Sequence, residues 1–320
     1  MLDVINLALP FFGLIFLGYA CGKLRSIPDT GLAWMNFFII YVALPVMFYR
    51  ILAETPFEQV ANVPFIVATT LATFCAFSVA FVIAMLIRRS GIAEAAIAGL
   101  AGAYGNIGYM GPGLALATLG QEAAVPVAII FCFDNILLFT LVPLLMAMAG
   151  SGQRRIGEAI IEIVRRIVLH PFIIATVLGV AAAAFRFEPP RALDAMMQLL
   201  QNAAAPCALF TLGVTVALRP LDRVPWETPP VVLVKLAVHP AVALLLLSAL
   251  GPLPQVWVYT AVLMAALPPA LNVFIMARQY DTWVAQASSA VLLGTLASVA
   301  TLTTVMWLVK SGRLPHSLLF

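Results

Sequence analysis

Gly105-Asn106-Ile107-Gly108-Tyr109-Met110-Gly111-Pro112-Gly113 lies in the middle of an apolar stretch that runs from about residue 95 to 118. Four glycines and a proline in nine residues cannot form a regular helix interior: glycine is too free, and proline lacks the N–H and clashes with the preceding turn. A second stretch, 255–277, is interrupted by Leu267-Pro268-Pro269-Ala270-Leu271-Asn272. Both interruptions fall within segments apolar enough to cross a bilayer. Backbone freed from a helix at that depth is tolerated only inside protein or along a cavity. The two breaks therefore predict a pair of discontinuous helices, each with an asparagine at the break.

Outward from these two segments the chain repeats the same material. Hydrophobic residues make up 63% of 320 positions and charged residues 10%, and the mean hydropathy is +1.06. Soluble domains run near half apolar and a quarter charged, so lipid must serve as part of the solvent. Stretches of about the length that spans a bilayer recur at 2–22, 32–52, 63–87, 95–118, 123–149, 167–185, 193–217, 229–250, 255–277 and 284–309. The expected fold is an all-α membrane protein of about ten transmembrane helices. A net charge of +3 is too small and too scattered for nucleic acid. The first stretch lacks a basic leader and follows Asp3, so it reads as a span rather than a cleaved signal.

A shift of 161 residues aligns Leu9-Pro10-Phe11 with His170-Pro171-Phe172, Leu17-Gly18 with Leu178-Gly179, and Leu44-Pro45 with Ala205-Pro206. Pro112 meets Pro269 at an offset of 157. The expected organisation is a first five-helix repeat at 1–150, a cytoplasmic linker at 151–165 and a second five-helix repeat at 166–320. Five is odd, so the halves insert in opposite senses, which is the inverted-topology repeat of many secondary transporters. Loops after the odd-numbered spans hold eleven Lys and Arg, and the other side holds five. The positive-inside rule then places both termini outside the cytoplasm of a multi-pass inner (plasma) membrane protein.

With that orientation the fourth span runs outward and the ninth inward. Each second half-helix begins near the midplane with unpaired N–H groups and the positive end of its dipole, which favours an anion. The expected substrate site is Asn106, Gly108, Gly111 and Pro112 with Pro268, Pro269 and Asn272, joined by Pro45 and Pro206 of the second and seventh spans.

These residues resemble the auxin efflux carrier family. Asn106-x-Gly108-x-x-Gly111-Pro112 is similar to the family's fourth-span crossover. Ala266-Leu267-Pro268-Pro269-Ala270-Leu271-Asn272-Val273-Phe274, with Ala277-Arg278-Gln279-Tyr280, is similar to the ninth. Leu44-Pro45, Lys235 with His239-Pro240, and Leu293-Gly294-Thr295-Leu296 also fit, and the similarity covers essentially the whole chain. The two broken-span runs look most like the malonate-carrier branch. The resemblance implies a scaffold domain, a transport domain and a small carboxylate at the crossover. Gly111 and Pro112 are adjacent where many members interpose a residue, and the long cytoplasmic loop of some plant members is missing. Both departures argue against auxin as the substrate.

Asp134, beside Asn135, lies mid-way along the fifth span, where a charge is expensive and marks function by default. It either carries a proton or a coupling cation, or is a structural carboxyl. Lys235 either pairs with Asp134, attracts the anion or snorkels to the headgroups. His239 either titrates or packs. Asp134, Asn135 and Lys235 are the coupling-ion candidates. Tyr41, Tyr104 and Tyr109 either line a cavity, pack or sit at the membrane interface. The four cysteines have no CxxC spacing and the three histidines are far apart, so no catalytic set, metal site or cofactor is expected.

The expected function is a non-enzymatic secondary transporter that moves a mono- or dicarboxylate such as malonate by alternating access. The alternative is a membrane sensor that binds the same carboxylate without flux. Expected partners are the carboxylate and the lipid bilayer. Proton or sodium coupling and a homodimer are open alternatives. Reporter fusions at residue 153 and at the C-terminus are expected to report opposite sides of the membrane, because five spans separate them. Both on one side would contradict the inverted repeat.

Overall fold

The computed structural model describes residues 2–25, 27–55, 62–88, 90–150, 161, 165, 168–169, 171–218, 224–249 and 253–315. Of the expected linker at 151–165, all but Ile161 and Arg165 lie outside the described residues, as does His170 of the repeat. Among the described residues every regular element is a helix. In chain order these are α1 (Leu2–Leu24), α2 (Asp29–Phe38), α3 (Leu44–Ala53), α4 (Val63–Arg88), α5 (Ile92–Ala103), α6 (Gly111–Leu119) and α7 (Ala124–Met148). There follow α8 (Pro171–Phe185), α9 (Arg191–Ala217), α10 (Thr228–Leu233), α11 (His239–Ala249), α12 (Gln255–Ala265), α13 (Leu271–Gln279) and α14 (Val284–Lys310).

The helices fall on the apolar stretches read from the sequence, and both expected breaks are present. The fourth stretch is α5 and α6 with Tyr104–Met110 between them, and the ninth is α12 and α13 with Ala266–Ala270 between them. Among the described residues six helical segments are long and apolar enough to cross a membrane by length and composition: Thr30–Ala53, Val63–Leu86, Gln121–Met148, Arg191–Ala217, Thr228–Ala249 and Val284–Lys310. Shorter apolar helices cover Leu9–Leu24, Ile92–Ala103, Pro171–Phe185 and Gln255–Ala265.

The apolar pattern does not predict the two π-turns. Ile39–Ala43 joins α2 to α3, and Val234–Val238 joins α10 to α11. Each stands just before a Leu-Pro or His-Pro pair. Pro45 and Pro240 cannot donate the next helical bond and would press on the carbonyl four residues back. One extra residue per turn relieves that clash: Leu44 N–H bonds to Ile39 O and His239 N–H to Val234 O, five residues apart.

The helices group into two compact units, each drawing on both halves of the sequence. Unit 1 holds the described residues of Met1–Asn62, Gly108–Cys132 and Val168–Pro220. Unit 2 holds those of Val63–Ile107, Phe133–Ile167 and Leu221–Phe320. In unit 1, α1 packs on α9 with the backbones in contact. A methyl group at Gly18 would overlap the carbonyl oxygen of Phe210, and one at Gly213 would overlap that of Ile15. Gly22 does the same against Ala217, at 2.7 Å. Gly18-x-x-x-Gly22 facing Gly213-x-x-x-Ala217 is a small-residue seam, the way helices approach where apolar burial against lipid supplies little drive. Gly179 of α8, which the 161-residue shift aligns with Gly18, lies against α3, where a methyl would sit 2.7 Å from Tyr49 O. Arg50 adds a 3.1 Å ion pair to Asp194, tying α3 to the first turn of α9.

In unit 2, α4 packs on α5 through Gly99 and Gly102, which admit Phe77 and Ala80. Gly294 of α14 leaves room for the ring of Pro269. Among the described residues the outward faces carry large apolar side chains such as Val67, Leu71, Val82, Leu199 and Leu296.

The seam generates a matched pair of variants on one helix. A methyl added at Gly13 of α1 would meet nothing within 4 Å, whereas one at Gly18 meets the Phe210 backbone. Gly18→Ala is expected to destabilise by about 1–3 kcal/mol, as overpacking does, and Gly13→Ala to leave stability unchanged or slightly raised. Melting curves of the two detergent-solubilised variants check this; equal curves would contradict the seam.

Candidate functional site

The site is built where two helices stop early. α5 ends at Ala103 because Tyr104 leaves the helical region at φ −76°, ψ 99°. α12 ends at Ala265, before the two prolines. Two freed backbones then satisfy each other inside unit 2. Asn106 N–H donates to Pro268 O at 2.8 Å, Ala270 N–H donates to Tyr104 O at 3.0 Å, and Gly105 faces Pro269 in an antiparallel bridge. A buried N–H or C=O without a partner costs about 1–3 kcal/mol, so each break is made tolerable by the other. Proline at 268 and 269 fits because it offers only acceptors here.

α13 starts at Leu271, directly after the bridge, and its first turn has no side-chain cap. Its leading N–H groups and positive dipole end therefore emerge beside Asn106 and Asn272. Asn106 is buried and Asn272 half-buried.

The opposite ends of the half-helices carry unpaired carbonyls and a negative dipole end. Lys235, in the second π-turn, is fully buried there and donates to the carbonyl oxygen of Ala265, the last residue of α12. Its Nζ also fills the space that a side chain at Gly105 would need, 3.2 Å from such a methyl. Of the readings open for Lys235, snorkelling is overturned: the ammonium is turned inward. Asp134 is also enclosed. Thr73 of α4 donates its hydroxyl hydrogen to Asp134 Oδ1 at 2.8 Å and lies 3.3 Å from His239 Nε2. His239 Nδ1 is 3.1 Å from Lys235 Nζ. Thr73 has one hydrogen and spends it on Asp134, and ammonium can only donate. His239 therefore donates from Nε2 and accepts at Nδ1. The chain runs Lys235 to His239 to Thr73 to Asp134, each link a donor facing an acceptor. The acid and the ammonium are thus bridged, and the ion pairs among the described residues both use Arg50 instead.

Asp134 and Asn135 are consecutive on α7, so they point about 100° apart. Asp134 enters the charged chain. Asn135 accepts instead from the Tyr104 hydroxyl at 2.6 Å, and Tyr104 accepts from Asn272 Nδ2 at 3.3 Å. The coupling-ion candidates thus divide between two networks.

Within unit 1, Gly108 lies against Phe131, 3.3 Å from a methyl placed there, over a trio of rings formed by Phe48, Phe131 and Phe172. Gly111 and Pro112 open α6. Gly113 admits Phe11 and Ala205, which brings the start of α6 next to Pro206 inside α9. Pro45 follows the first π-turn. Tyr109 donates to Asn36 at 3.4 Å. Tyr41 is exposed and stacks on Phe37 at 5.2 Å. Thr73 and the linking role of His239 have no signal in the sequence, where Thr73 is one of three threonines in Thr69-Thr70-Leu71-Ala72-Thr73. Among the described residues no cluster of His, Cys, Asp or Glu could hold a metal ion.

A family model described as "Membrane transport protein" matches residues 3–308. A protein of Rhizobium meliloti (strain 1021) named "Putative malonate transporter" is 49% identical over 318 residues, covering 99% of both chains. "Auxin efflux carrier component 3a" of Oryza sativa subsp. japonica is 28% identical over 177 residues, 51% of this chain and 28% of that one. An "Uncharacterized transporter" of Methanothermobacter thermautotrophicus is 25% identical over 292 residues, 90% of this chain and 93% of that one. With broken helices stitched at their breaks and a family match over almost its whole length, the chain belongs to the membrane transport protein family that includes the auxin efflux carriers; it is a membrane transporter and not an enzyme.

Proposed function

We propose that this transporter carries a small carboxylate, malonate above all, across the cytoplasmic membrane by alternating access. The observation that carries the reading is the stitched crossover of unit 2. The backbone of Asn106 is held on Pro268, and the uncapped α13 that starts just after carries Asn272 on its first turn, which supports a site with two amide side chains and a helix start for a carboxylate. The relative named for malonate supplies the substrate class, because it is matched along its whole length. The proposal also keeps Gly108, Gly111, Pro112, Pro45 and Pro206, all in unit 1, as substrate-site candidates.

The same proposal includes ten spans in two inverted repeats of five, 1–150 and 166–320 about the linker at 151–165, with both termini outside the cytoplasm. Its support is the parallel seating of repeat partners: Gly18 of α1 on α9, and Gly179 of α8 on α3. Transport would be coupled through Asp134, whose charge is bridged to Lys235 by groups able to pass a proton along.

Two experiments test the proposal. A charge-assisted hydrogen bond contributes about 1.5–3 kcal/mol, and about 1.4 kcal/mol is tenfold in affinity. Asn106→Ala and Asn272→Ala are each expected to weaken malonate binding by roughly ten- to a hundredfold in proteoliposome counterflow, with normal membrane insertion. Near-normal affinity in both would put the substrate elsewhere, and binding without counterflow in the unaltered protein would make it a sensor. In the second experiment, Asp134→Asn is expected to abolish gradient-driven accumulation while exchange stays measurable. Unchanged accumulation would make Asp134 structural.

A further inference from the structure

We infer that Tyr104 is the positioning residue of the carboxylate site, orienting Asn272 through a hydroxyl that Asn135 holds in place; this rests on the crossover reading above. Tyr104 is 3% exposed and touches the ninth-span break twice. Its backbone carbonyl, released where α5 ends, accepts from Ala270 N–H at 3.0 Å. Its hydroxyl accepts from Asn272 Nδ2 at 3.3 Å, two residues further on. One residue thus pins both the backbone that starts α13 and the side chain on its first turn.

The direction of the side-chain network follows from counting hydrogens. A phenol has one hydrogen, and Tyr104 gives it to Asn135 Oδ1 at 2.6 Å. Its oxygen must then accept, and Asn272 supplies the donor. Asn272 commits one amide hydrogen to Tyr104 and keeps the other hydrogen and its carbonyl oxygen for a ligand. The network also has a buried end and an open end. Tyr104 and Asn135 are each 3% exposed, whereas Asn272 is half-buried. An asparagine amide turns about two torsions, the last of them broad, so without this tether its donor would sample several directions. The Tyr104 ring is itself fixed edge-on against Phe139, centroids 5.7 Å apart. Tyr104 therefore acts on the substrate through Asn272. It acts beside the charged chain and not within it: Asn135 serves this network while Asp134, its neighbour on α7, serves the other.

The test is labelled-malonate uptake by proteoliposomes holding the full chain. Tyr104→Phe keeps the ring and its packing and removes only the hydroxyl. It is expected to raise the half-saturation concentration about tenfold, equivalent to about 1.4 kcal/mol, with the maximal rate within about twofold of normal. Asn135→Ala, which releases the hydroxyl, is expected to give a similar rise and provides a second route should Tyr104→Phe fold poorly. The double variant Tyr104→Phe/Asn272→Ala is expected to be no weaker than Asn272→Ala alone, since both act through one group. A purely structural tyrosine would lower the melting temperature and maximal rate and leave half-saturation alone. Unchanged half-saturation in Tyr104→Phe, or losses that multiply in the double variant, would overturn the inference while an impaired Asn272→Ala left the carboxylate site standing. A normal Asn272→Ala would overturn the inference, and a normal Asn106→Ala beside it would take the carboxylate site down as well.

Discussion

Lipid offers nothing to a bare peptide group, and that constraint organises this molecule. A helix broken inside a bilayer exposes N–H and C=O groups that no solvent will satisfy. Here two helices are broken, and each break is the other's partner: Asn106 N–H meets Pro268 O, and Ala270 N–H meets Tyr104 O. Neither interruption is tenable alone. Glycines 99 and 102 let α4 approach α5, and Gly294 gives Pro269 its space, so the small residues of unit 2 serve to bring the breaks together. The result is a pair of peptide segments lying side by side where an ordinary membrane protein has continuous helix.

Broken helices also sort charge. Their starting ends favour anions and their finishing ends favour cations. The finishing end of α12 is met by a side chain of the protein, the Lys235 ammonium on Ala265 O. The starting end of α13 carries no capping side chain and has Asn272 on its first turn. A buried ammonium would be costly if isolated, and it is not isolated: His239 and Thr73 connect it to Asp134 through consecutive hydrogen bonds. The anion-favouring end is where the proposal places the carboxylate.

The breaks themselves were legible in the sequence because glycine and proline act locally, and their effect does not depend on neighbours. Asn106 and Asn272 were legible by proximity to the breaks, and Asp134 by the cost of a carboxylate in an apolar span. What could not be read were the directions of side chains. Lys235 looked close enough to a headgroup region to snorkel, and only the π-turn beneath it aims it at Ala265. That turn depends on how the chain relieves Pro240, which could equally have kinked the helix. Asn135 looked like a companion to Asp134 because they are adjacent, yet consecutive residues on a helix diverge and serve different partners. Tyr104 was one tyrosine among three until α13 was placed beside it. Tertiary contact decides these cases, and one sequence does not encode it in any short window.

The carboxylate reading is tested most directly by a distance. Malonate labelled with carbon-13 at its carboxyl groups can be bound to reconstituted protein carrying nitrogen-15 in its asparagine side chains. Dipolar recoupling in the solid state then reads carboxyl-to-amide separations. A hydrogen-bonded carboxylate places its carbon within about 4 Å of the donor nitrogen. Strong recoupling that weakens in Asn272→Ala and is lost when Asn106→Ala is added is the expected result. Bound malonate whose carboxyl carbons show no recoupling to any asparagine amide would contradict it.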